Sequence, residues 1–145
     1  MLVKNYLKTK KLKSDSTRAG FGRGLVEAAQ KNKSIVALTA DLSESTKLLE
    51  FERQFPQRYF DVGVAEQNLA GVAAGLALSG KIPFMTSYAV FSPGRNWDQI
   101  RVSIAYNQAN VKIVSTHAGL NVGPDGATHQ ALEDIALMRV LPQMA

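Results

Sequence analysis

The sequence contains no cysteine, which excludes disulfides, thiolate metal sites and a cysteine nucleophile. No apolar run approaches the ~18 residues a membrane-spanning helix needs. The longest candidate, residues 69–78, is short and interrupted by glycine. The opening MLVKNYLKTKKLK lacks the continuous apolar stretch of a secretory signal. A soluble, cytoplasmic protein with no membrane association is the expectation. What is present is an ordinary globular composition, 46% hydrophobic and 20% charged over 145 residues. That length is close to the ~150 residues of one domain.

The net charge of +5 is unevenly placed. Seven basic residues (Lys4, Lys8, Lys10, Lys11, Lys13, Arg18 and Arg23) precede Leu25 with Asp15 as the one acid, so the rest of the chain is close to neutral. A basic stripe can attract nucleic acid. This one has only Tyr6 interleaved and precedes the first convincing fold element, so residues 1–15 read as a solvated basic tail and no nucleic-acid partner is expected.

From residue 16 the chain alternates helical and strand patterns. Ser16 or Thr17 caps a helix in which Phe21, Leu25 and Ala28 recur at helical spacing. SIVALTADL is too densely apolar for a half-exposed strand and reads as a buried one. SESTKLLEFERQF is expected to be a short helix entered through Ser43 or Ser45, and RYFDVGV a second strand. Leu69, Val72, Ala73 and Leu76 mark a helix beginning near Glu66. Residues 81–88 form a third strand, residues 94–107 a helix with Trp97, Ile100 and Ile104 on its core face, residues 110–115 a fourth strand, and residues 128–138 a last helix. The alternation predicts an α/β fold, an open and mainly parallel sheet with helices on both faces. The sequence stops three residues after Pro142, where the pattern would lay down another strand, so residues 16–145 are expected to be one domain truncated at its C-terminus.

Ligands of such sheets bind beyond the carboxyl ends of the strands. That selects residues 41–45, 63–68, 87–94 and 116–129, which hold most of the unusual side chains. Glu66 opens a helix rich in small residues (Ala70, Gly71, Ala73, Ala74, Gly75, Ala77), so another backbone can approach it closely. A lone acid at a helix N-terminus is often only a partner of the helix dipole. Beside such a surface, burial at a contact would suit it to proton transfer. Tyr88 and Phe91 either pack the core or form a wall for a flat ring. THAGLNVGPDGATHQ holds both histidines, His117 and His129, around Asp125. A metal reading of these three has no standard spacing; hydrogen bonding to a hydroxylated or phosphorylated ligand fits better. Arg18 at a helix N-terminus hints at an anion partner. Ser45 is a weaker signal.

ADLSES, DVGVAEQNLAGVAAGLALSG, TSYAVF with WDQIR, and THAGLNVGPDGATHQALEDIALMR together resemble the pyrimidine-binding domain of the transketolase family, from about Thr17 to the end of the sequence. The resemblance is to the form divided into N- and C-terminal subunits, of which this would be the first domain of the C-terminal one. AEQN and the GPDG-THQ loop are similar in deoxyxylulose-phosphate synthase. The resemblance implies thiamine diphosphate. Glu66 matches the glutamate that bonds N1′ of the aminopyrimidine and favours its imino tautomer, which removes the thiazolium C2 proton. Tyr88 and Phe91 match the aromatics that pack on the pyrimidine. Asp41 matches an acid near the cofactor at the subunit interface. Arg18 and Ser45 match binders of the substrate phosphate, Asp125 a reader of a sugar hydroxyl, and His129 a substrate contact. His117 matches a sugar-contacting residue and joins Glu66 in the implied catalytic set.

Two departures stand out. Ser92-Pro93-Gly94 occupies positions where many relatives carry an aromatic or basic residue. The Gly-Asp-Gly motif with a downstream Asn that holds Mg²⁺ and the diphosphate is missing; Gly-Pro-Asp-Gly at 123–126 has no such continuation. The diphosphate half of the site, with its Mg²⁺, is therefore expected from another chain, the transketolase N-terminal subunit, in a homodimer or heterotetramer acting on sugar phosphates. This domain alone is expected to be inactive. Two other readings stay open: a deoxyxylulose-phosphate synthase-like component, and a non-catalytic module dimerising through the Gly71 and Gly75 helix face.

Overall fold

The computed structural model describes residues 14–144. The five lysines of the expected tail lie outside them.

Helix α1, Thr17–Lys31, starts where expected: Ser16 is extended, and its Oγ accepts from the Ala19 amide at 3.3 Å. It leads into β1, Ile35–Thr39, every residue of which is buried. Side chains alternate across a strand. Ile35 and Ala37 accordingly pack with Leu25, Val26, Ala29, Leu48 and Phe51 on one face. Val36, Leu38 and Ala40 pack with Leu69, Ala73, Met85, Ile100 and Ile104 on the other. The two clusters are the physical form of a sheet covered on both faces.

The remaining elements are α2 (Leu49–Gln54), β2 (Tyr59–Asp61), α3 (Glu66–Leu78), β3 (Ile82–Tyr88), α4 (Trp97–Gln99, continued as a π-helix over Ile100–Ala105), β4 (Lys112–Thr116) and α5 (Asp134–Arg139). The four strands form one sheet in the order β2-β1-β3-β4, all parallel. Register aligns Thr39 with Asp61 and Thr86, and Tyr88 with Thr116, so the carboxyl ends form one rim. After β1 the chain passes to α2 on one face, and after β3 to α4 on the other. The crevice between those diverging connections is where such sheets bind ligands.

Three expected elements differ. Residues 43–55 are not one helix: a run of turns precedes α2, because Lys47 takes φ +66° and buried Thr46 turns its hydroxyl back to the Leu42 carbonyl. Ser43, proposed as a cap, instead hydrogen-bonds the Tyr59 hydroxyl. The last helix begins at Asp134 rather than near 128, since Ala131 is buried and bridges Gly119, whose amide donates to its carbonyl at 2.7 Å. The helix of residues 94–107 is largely π. Its Trp97 is half-buried at the core margin, with Nε1 donating to the Leu137 carbonyl at 2.9 Å.

Arg58 joins several of these parts. One guanidinium nitrogen donates to the carbonyls of Ala29, Asn32 and Ile35 at 3.1–3.3 Å, and the group lies 4.0 Å over the Phe55 ring. Arg58→Ala is expected to lower stability by about 2–3 kcal/mol through the lost charged hydrogen bonds, read as a shift in the urea unfolding midpoint.

Candidate functional site

Glu66 is the first residue of α3, at the end where a helix dipole favours a carboxylate. Its side chain is 1% exposed, and the burial is achieved within the single chain. A carboxylate removed from water needs a partner. Arg95, on the connection after β3, supplies it: Nη1 lies 2.7 Å from Glu66 Oε2. Among the described residues, Oε1 has no hydrogen-bond partner. Buried Asn96 ties the same two segments, its Nδ2 donating to the Glu66 main-chain carbonyl at 3.0 Å and to Ser92 Oγ at 3.2 Å.

The Arg95 guanidinium also lies 4.5 Å over the Phe91 ring, which links the carboxylate to the aromatic pair. Tyr88 ends β3, and its ring runs nearly parallel to Phe91 (8°) with centroids 6.0 Å apart. His129 meets Phe91 edge-on at 5.3 Å and Tyr88 at 6.1 Å. His117 lies 3.9 Å from the Tyr88 ring. Four rings from two connections thus converge at the ends of β3 and β4.

A polar group adjoins them. Arg18, in the first turn of α1, donates from Nη1 to the Ser45 carbonyl at 3.0 Å and approaches His117 Nε2 at 3.2 Å. Since a guanidinium only donates, Nε2 accepts and the His117 proton sits on Nδ1, 2.8 Å from Thr116 Oγ1. Burial, and then the charge of Arg18, hold the His117 imidazole below its usual value, against the opposing pull of Asp125. His117 adopts φ +56°, held at the strand end by these contacts.

The structure therefore brings together Glu66, Tyr88, Phe91, His117, His129, Arg18 and Ser45. Ser45 takes part through its carbonyl, not its hydroxyl. Asp125 is exposed on the glycine-rich loop, within electrostatic reach of His117. Asp41 is exposed at φ +59°, its amide donating to Asp61 Oδ1 at 2.9 Å. Among the described residues no group of three His, Asp or Glu side chains is placed to hold a metal ion, and no helix is long and apolar enough to cross a membrane.

Sequence reasoning missed Arg95, Asn96 and Thr116. Arg95 falls within residues 94–107, whose apolar spacing reads as a helix; the signal for its role is a base four residues after Phe91. The tight turn that presents it depends on Gly94, where an added Cβ would lie 2.1 Å from the Val90 carbonyl oxygen. Gly94→Ala is expected to cost about 1–3 kcal/mol by forcing that backbone apart, measured by thermal unfolding.

A sequence profile described as "Transketolase, pyrimidine binding domain" matches residues 13–145. The chain is 54% identical over 127 residues to a putative transketolase C-terminal section of Methanocaldococcus jannaschii, covering 88% of this chain and 40% of that protein. It is 48% identical over 120 residues to a 6-deoxy-6-sulfo-D-fructose transketolase subunit of a Clostridium species, covering 83% and 37%. Among solved structures, a split-gene transketolase described as an inactive beta4 tetramer is similar with a TM-score of 0.77 and 55% identity, over 89% of this chain and 41% of that one. The chain spans about two fifths of the length of these relatives.

Proposed function

The chain belongs to the transketolase pyrimidine-binding domain family, and from that premise we propose that it forms the pyrimidine-binding half of a thiamine diphosphate site in an enzyme moving a two-carbon ketol unit between sugar phosphates. The observation that carries this reading is the buried Glu66 carboxylate, anchored through Oε2 by a guanidinium that itself stacks on Phe91. The residues present fit the cofactor's aminopyrimidine: a carboxylate oxygen, Oε1, for a ring nitrogen, and Tyr88 and Phe91 for a flat ring. The cofactor, when bound, supplies the carbon–carbon bond chemistry. The protein's part is to hold and exchange one proton between Oε1 and that nitrogen.

Arg18 and the turn at Ser45 form the anion end of the site and take the substrate phosphate, and His117, hydrogen-bonded to Arg18, contacts the sugar beside it. Asp125 and His129 meet the sugar hydroxyls. Asp41, exposed at the rim, lies at a subunit contact. Mg²⁺ and the diphosphate belong to a second polypeptide, the N-terminal subunit, in a homodimer or heterotetramer in the cytoplasm. The test is reconstitution of the full-length C-terminal subunit with the N-terminal subunit: xylulose 5-phosphate is turned over and pyruvate is not. Turnover of pyruvate instead would favour the deoxyxylulose-phosphate synthase reading. Absence of any calorimetric heat with thiamine diphosphate and Mg²⁺, partner present, would favour a dimerisation module.

The His117 geometry adds a pH dependence. In the free protein the imidazole is neutral and accepts from Arg18, its value held low. A phosphate held by Arg18 beside the ring would favour imidazolium, so anion binding takes up a proton. Affinity for the phosphorylated sugar is expected to strengthen as pH falls through the window between the depressed free-state value and the value in the complex. Relative to His117→Gln, whose profile lacks this component, calorimetry from pH 8 to 6 should show the gain; parallel profiles would remove it.

A further inference from the structure

We propose that Arg95 is a positioning residue for the reaction: it fixes Oε2 of Glu66 so that Oε1 alone is presented to the ligand's ring nitrogen. This rests on the function proposed above and deepens it. Three observations support the assignment. The Nη1–Oε2 distance of 2.7 Å is that of a charge-assisted hydrogen bond, on a carboxylate that is 1% exposed. The guanidinium is itself held, 4.5 Å over the Phe91 ring, so it cannot follow a drifting carboxylate. Asn96, the next residue, bonds the Glu66 main-chain carbonyl and so fixes the backbone from which the side chain projects.

A carboxylate can present either oxygen by rotation about its last bond. With Oε2 occupied, that choice is removed, and the remaining oxygen is set relative to the Phe91 ring through one shared cation. Misplacement of a reacting group by about 1 Å can cost ~100-fold in rate, which is the scale of effect at stake. Arg95 is about half exposed, so its truncation opens no cavity in the core, although it leaves the Glu66 carboxylate buried without its partner.

The experiment is a double-mutant cycle in the full-length C-terminal subunit assembled with its N-terminal subunit, using Arg95→Met, Arg95→Lys, Glu66→Gln and the double variant Arg95→Met/Glu66→Gln. Arg95→Met is expected to lower kcat by about 10- to 100-fold, with the KM of the ketose phosphate within about twofold; the melting temperature should fall, because the buried Glu66 carboxylate loses its partner, with the protein still folded at the assay temperature. Arg95→Lys should recover part of the loss, because a lysine keeps the charge without the planar stack. In the Glu66→Gln background, Arg95→Met should have no further effect, since residues that act through one another are not additive. Hydrogen–deuterium exchange at C2 of bound thiamine diphosphate, read by NMR, should slow in parallel with kcat. Wild-type kcat and exchange rates in Arg95→Met, or a full additional loss in the double variant, would overturn the assignment. A fully active Glu66→Gln protein would instead overturn the proposed function itself.

Discussion

Glu66→Gln is expected to reduce turnover of the assembled enzyme by about 10²- to 10⁴-fold, the range in which a positioned acid or base contributes. The substitution keeps the volume and the hydrogen-bonding oxygen of the side chain but cannot exchange a proton. The structural loss should be confined to the pair with Arg95, whose guanidinium is about half exposed and keeps its stack on Phe91. The folded domain is therefore expected to persist, with gel filtration and circular dichroism unchanged. Glu66→Ala should be no more active but less stable, because it empties a site in which the side chain is 1% exposed. Activity within twofold of wild type in Glu66→Gln would show that the buried carboxylate serves packing alone.

The second large effect concerns the chain by itself. Residues 14–144 provide a four-stranded sheet with a carboxylate, an aromatic pair and the Arg18–His117 pair at one rim, and the function proposed above assigns the metal-bound diphosphate to the partner subunit. The chain alone is expected to show no turnover of ketose phosphate, with or without added thiamine diphosphate and Mg²⁺. Activity is expected on assembly of the full-length C-terminal subunit with the N-terminal subunit, and titration of one against the other should reach a plateau at a fixed ratio. Turnover by the 145-residue chain alone would contradict this division of the site.

Much of this was legible in the sequence because it is written in local periodicity. The uninterrupted run Ile35–Thr39 announces a strand buried on both faces, and the spacing of Leu69 and Ala73 announces α3, with Glu66 at its start. The loops carrying Tyr88, Phe91, His117 and His129 follow from the rule that parallel sheets present their ligands at the carboxyl ends of the strands. What escaped was set by contacts distant in sequence or by backbone conformation. The left-handed turn at Lys47 breaks the helical pattern of residues 43–55, although lysine is a good helix former, because Thr46 is drawn into the core against Thr86. The Gly119–Ala131 bridge stops the last helix from starting at Thr128. Arg95 reaches Glu66 across 29 positions, a pairing that no periodicity encodes. The likeness of the motifs to a known family supplied the cofactor, which neither composition nor spacing carries.

Deuterium exchange at C2 of thiamine diphosphate bound to the assembled protein, compared between wild type and Glu66→Gln, reads the proton-transfer role of Glu66 directly. Exchange slowed by about 100-fold or more is expected in the variant, with cofactor still bound. Equal exchange rates in the two proteins would show that the proton is moved by some other group, and that Glu66 does not activate the ring.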